Sequence, residues 1–112
     1  MDFKRLNNMT GKDPVLNRRI TSIFINDYEN FLQVFTQLPF TEDLTDLKFL
    51  IHKNSPSFMI FELESLLSRY NHFFEKKNKG EVLKIDDNDF LLLLEDTKTK
   101  IQQLKHFLAQ LN

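Results

Sequence analysis

Apolar residues recur at three- and four-residue spacing along most of this chain, the period of an amphipathic helix. The cleanest run is the last. Phe90, Leu94, Thr97, Ile101, Leu104, Leu108 and Leu111 alternate steps of four and three. Asp86-Asp87 ahead of that run offers a helix cap. The first long helix is expected to start at Asp13-Pro14, with Asp as N-cap and Pro at the first helical position, where its missing N–H has no partner to lose. Leu16, Ile20, Ile23, Phe24, Phe31, Val34, Phe35 and Leu38 give it a broad apolar face, and Pro39 stops it. Before it, Asp2 to Met9 reads as a short helix ending near Thr10-Gly11.

A second helix is expected from about Thr41, with Thr as cap and Glu42 and Asp43 at the positive end of its dipole. Leu44, Leu47 and Ile51 mark its inner face. Ser55-Pro56 reads two ways. It is either a fresh cap and first position, which breaks the helix just after His52, or a kink inside a helix that continues. A third helix covers about Phe61 to Lys76, with Leu63, Leu66, Leu67, Tyr70, Phe73 and Phe74 inward. Lys76-Lys77-Asn78-Lys79-Gly80 is the clearest loop. Burying four such faces with short links predicts an all-α fold, an antiparallel four-helix bundle with a short N-terminal helix, as one domain over residues 1–112.

Composition narrows the function. The 112 residues carry a formal charge of −1, so no global basic field draws nucleic acid. The chain has no cysteine, which excludes disulfides, thiolate catalysis and cysteine zinc sites. With no apolar signal core at Met1-Asp2-Phe3-Lys4-Arg5 and no span-length apolar run, a cytoplasmic protein away from membranes is expected. Twelve phenylalanines and no tryptophan put much of the aromatic packing on Phe.

Among residues able to do chemistry, His52 stands out. It lies about 100° around the helix from Ile51, at the edge of the buried stripe and open to a partner. An imidazole is a nucleophile when neutral, so a half-exposed His on a rigid helix is suited to carry a phosphoryl group. His72 and His106 read as surface or boundary residues and share no metal-ligand spacing. Arg18-Arg19 reads as a solvated helix face. Asp86-Asp87-Asn88-Asp89 lacks the Gly and terminal Glu of a calcium loop. Ser55 and Ser57 have no base beside them for a triad, and no glycine loop cradles a nucleotide. No cofactor or metal is expected.

At this point the chain resembles the histidine-containing phosphotransfer (HPt) domain family, whose small helical bundles carry a phosphoryl group on a His. The resemblance spans nearly the whole chain. Asp2-Phe3-Lys4-Arg5-Leu6 through Thr10-Gly11-Lys12-Asp13 looks like the family's short helix and turn, and Phe24-Ile25-Asn26-Asp27-Tyr28 like its apolar-acidic stretch. Asp46-Leu47-Lys48-Phe49-Leu50-Ile51-His52 looks like the approach to the phosphorylated His, and Leu63, Leu66 and Leu67 like the leucines that follow. The family commonly reads H-x-x-K-G-S, and here the residues are His52-Lys53-Asn54-Ser55-Pro56-Ser57. His and the last Ser agree. Ser55 replaces the Lys and Pro56 the Gly.

The resemblance favours a kinked, continuing helix and implies that His52 is the phosphoacceptor. The cation lost at Ser55 would come from Lys48, four residues before His52 and on its face, with Lys53 and Ser55 as further phosphate-supporting candidates. Phe49, Pro56 and Met59 would form the docking surface; without the resemblance, Phe49 and Met59 would be read as core. The implied partners are response-regulator receiver domains and a hybrid histidine kinase, for a monomer that is a carrier rather than an enzyme. The competing readings are an HPt-like adaptor that binds receivers or kinases without carrying phosphate, and a structural helical protein in which His52 is incidental.

Overall fold

The computed structural model describes residues 1–111. In order, its elements are α1 (Lys4–Thr10), α2 (Pro14–Thr36), a 3-10 turn (Leu38–Phe40), α3 (Thr45–Ile60), α4 (Glu64–Asn78) and α5 (Asn88–Gln110), with no strand among the described residues. Helix α2 packs on α3 and α5, and α4 packs on the same two, so the four long helices close a ring; α1 packs on α2. The expected antiparallel bundle with a short N-terminal helix is the observed one. It measures 45 × 22 × 19 Å.

The caps follow local chemistry. Asp13 Oδ1 accepts from the N–H groups of Val15 and Leu16 at the start of α2, and Asp87 Oδ1 accepts from Phe90 N–H at the start of α5. Three boundaries differ from expectation, the first being the end of α4, which runs through Lys76, Lys77 and Asn78 of the expected loop, where lysines suit the negative end of the helix dipole. Helix α3 begins at Thr45 rather than Thr41, because Pro39 sits in a 3-10 turn and the Thr41 hydroxyl bonds with the main chain of Asp43 instead of capping a helix. Helix α4 begins at Glu64 rather than Phe61, because residues 61–63 complete the end of α3. There, Leu63 N–H donates to Phe58 O and Glu62 N–H to Met59 O, with Glu62 in the left-handed region at φ 57°.

The core is aromatic. Phe24, Tyr28, Phe31 and Phe35 run down α2, and Phe58, Phe61, Tyr70 and Phe90 answer from the other helices, all almost wholly buried. Phe24 stacks on Phe61 at 4.6 Å, and Phe58 meets Tyr28 edge-on at 5.2 Å. Leu16 and Ile23, expected on the apolar face of α2, are exposed. The inward seam at that end passes through Asn17 and Thr21 instead. Asn17 can be buried because α1 satisfies it: its Nδ2 donates to Asn7 Oδ1 at 2.9 Å and its Oδ1 accepts from the Thr10 hydroxyl at 2.5 Å. In α5, Leu93 is fully buried where the spacing pointed to Leu94, which is half-buried.

Candidate functional site

Helix α3 turns Leu47, Leu50, Ile51, Asn54 and Phe58 into the bundle. The opposite side carries Lys48, Phe49, His52, Pro56 and Met59, all exposed. These residues are three or four positions apart or adjacent, so the helical period puts them on one outward face. Phe49 is 63% and Met59 48% exposed, which rules out the core reading for both.

Helix α3 continues through Pro56. The ring removes the N–H that would otherwise bond to His52 O. Flanking anchors hold the helix together: Asn54 is 2% and Phe58 0% exposed beneath the proline. The Ser55 hydroxyl donates to Ile51 O at 2.6 Å, back onto its own helix. Past the proline, Arg5 of α1 donates to Met59 O at 3.0 Å and pairs with Glu64, tying the end of α3 to the N-terminal helix.

The three phosphate-supporting candidates therefore part company. Lys53 turns toward α2 and pairs with Asp27 at 3.9 Å. Ser55 is half-buried with its hydroxyl engaged. Lys48 is exposed and makes no ion pair among the described residues. It lines a cleft between the start of α3 and the end of α4 together with Thr45, Phe74 and Lys77. Lys77 was expected in a polar loop and not at a site; it lies on the last turn of α4, its side chain is only 8% exposed and its ammonium pairs with the exposed Glu42 at 3.5 Å. Arg5 too was missed. Nothing local marks it, since its partners lie more than 50 residues away.

His52 lies on a convex helix face. It lines neither the 560 Å³ groove between the N-terminal residues and α5 nor the 620 Å³ groove between α2 and α5. Such a placement suits reaction with a group presented by another macromolecule better than capture of a small substrate. His72 and His106 are also exposed. Among the described residues, no group of three or more His, Asp or Glu side chains could hold a metal ion, and no helix is long and apolar enough to cross a membrane.

Below the site, the core holds a polar chain. The Tyr28 and Tyr70 hydroxyls are 2.5 Å apart, Tyr70 and Thr97 are 2.5 Å apart, and Thr97 donates to Leu93 O at 2.8 Å. Burial pushes both phenols up, Tyr70 to about 12. Neither group is accessible for chemistry.

No protein-family model, curated protein or solved structure matches this chain.

Proposed function

We propose that this protein is a histidine phosphotransfer protein of a two-component phosphorelay. A neutral ring nitrogen of His52 attacks the phosphorus of an aspartyl phosphate on a receiver domain. The P–O bond to the aspartate breaks and the carboxylate leaves with the bonding pair; later a carboxylate of a second receiver attacks the same phosphorus, a new P–O bond forms, and the imidazole leaves with the electrons of the P–N bond. Such transfer asks for in-line placement and charge neutralisation, with little covalent help from the carrier. The receiver brings its own divalent cation, so the carrier supplies a nucleophile and a surface. The observation that carries this reading is the outward face of α3, where His52 stands between exposed Phe49 and Met59 with an unpaired lysine, Lys48, one turn away.

Incubation with radiolabelled phospho-receivers tests it. Label that is acid-labile and alkali-stable is expected on the wild type and absent from His52→Gln. Lys48→Ala is expected to slow transfer about tenfold or more, the loss of one charge-assisted contact. Label on His52→Gln would reject the site, and unchanged transfer by Lys48→Ala would remove its role.

A second reading rests on Ser55 and Lys53, whose side chains are committed to Ile51 O and Asp27. With Lys48 the single cation beside His52 that makes no ion pair among the described residues, the same face would serve an adaptor that binds receivers or kinases without carrying phosphate. Receiver binding that survives His52→Gln, with no label on the wild type, is its signature.

A further inference from the structure

The segment joining α4 to α5 is nearly antisymmetric in charge about its middle. Lys76 on the last turn of α4 and Lys79 just after it stand on one side, Asp86 just before α5 and Asp89 on its first turn on the other, and Glu81 and Lys84 oppose one another in reversed sign closer in. At the centre, Val82 is 88% and Ile85 59% exposed, while Leu83 between them is buried. Residues 81–84 belong to no helix or strand. Among the described residues, the N–H groups of Val82, Leu83 and Lys84 make no hydrogen bond. Phe40, 66% exposed on the 3-10 turn, lies at the same end of the bundle.

Large apolar side chains gathered at one end of a small protein mark an interaction surface. The charges specify its occupant. A two-fold interface sets residue i against j and j against i. Set end to end with a copy of itself about a two-fold axis, the basic end of α4 (Lys76 and Lys79) faces the acidic start of α5 (Asp86 and Asp89) on the partner, twice over, with Val82 and Ile85 near the axis. Laid parallel, like charges would meet. We propose that this end of the bundle pairs with a second copy of the chain, through a two-fold contact centred on Val82 and Ile85. The open N–H groups then find main-chain acceptors on the partner, as unpaired edges do. The monomer expected from the sequence gives way to a reversible dimer. Lys48 lines the cleft beside Asn78 and Gly80, but the oligomer test reads mass and not phosphoryl label, so this pairing stands or falls apart from phosphotransfer.

Sedimentation equilibrium from micromolar to millimolar protein tests it, with two charge-reversed variants. Lys76→Glu/Lys79→Glu and Asp86→Lys/Asp89→Lys alter exposed residues and spare the capping Asp87 and the packed Lys77, so far-UV circular dichroism reports whether each stays folded. Wild type is expected to show a monomer–dimer equilibrium. Each variant alone is expected to be monomeric, and their equimolar mixture to form a heterodimer, because every contact across the axis is then between opposite charges. The Val82, Leu83 and Lys84 amide resonances should shift with concentration in the wild type only. A wild type that stays monomeric at millimolar concentration overturns the proposal, and then a different protein covers this end. Variants that dimerise as well as the wild type overturn it too, placing the contact elsewhere.

Discussion

Thr97 fixes the direction of the hydrogen-bond chain in the core. Its one hydroxyl proton goes to Leu93 O, so it accepts from Tyr70, which in turn accepts from Tyr28. Tyr70→Phe would strand the Tyr28 proton and leave Thr97 without its donor. It is expected to cost about 1–3 kcal/mol at neutral pH, read from the urea midpoint. The same chain predicts alkaline instability. Tyr70 keeps its proton in the folded state to about pH 12, while an unfolded tyrosine loses it at 10.0. Between those values the unfolded chain binds fewer protons, so stability falls as pH rises. The contribution is complete below pH 10 and lost by about pH 12, roughly 3 kcal/mol from Tyr70, and Tyr28 shifts in the same direction. Unfolding measured across that window should show a shallower decline in Tyr70→Phe. Equal declines would mean that other groups govern it.

Helix α3 is where local propensity and tertiary packing disagree. A proline in its fourth turn removes a backbone bond, yet the helix runs on because Asn54 and Phe58 are held in the core on either side. Pro56→Ala restores the N–H facing His52 O. It is expected to raise stability by about 1–2 kcal/mol, the helix gain less the added freedom of the unfolded chain. A loss would mean that the exposed ring makes contacts of its own. The caps at Asp13 and Asp87 were legible, since capping needs only residues within one turn. The true start of α3 and of α4 was not. Thr41 had a nearer partner in Asp43, and Glu62 adopts a left-handed turn that its residue type disfavours.

For the whole molecule, α1 is a small element with a large share of the packing. Leu6 is fully buried, Phe3 stacks on Phe107 at 3.6 Å, and Arg5 reaches the end of α3. Removing residues 1–12 is expected to cost at least about 3 kcal/mol, since burying each of two such apolar side chains contributes about 1.5–3 kcal/mol. An unchanged denaturant midpoint would show that α1 adds nothing to the bundle. Because Arg5 holds the Met59 carbonyl, the truncation should also loosen the last turn of α3, seen as faster amide exchange at residues 59–61.

Helix count, the inward residues Phe24, Phe31, Phe35, Leu66, Tyr70, Phe73, Phe90 and Leu104, and the outward edge position of His52 all follow from periodicity. A helix buries one side whatever it packs against. What periodicity leaves open is which neighbour a side chain finds. The period favoured Lys48 over Lys53 and Ser55, and only the packed bundle sends Lys53 to Asp27, turns Ser55 onto Ile51 O and leaves Lys48 without an ion pair among the described residues. Arg5 beside Met59, Asn17 at an inward position and the Tyr28–Tyr70–Thr97 chain are likewise tertiary decisions. A local rule sees about one helical turn, whereas the partners of Arg5, Tyr28 and Tyr70 come from distant parts of the chain and meet only after the helices have packed.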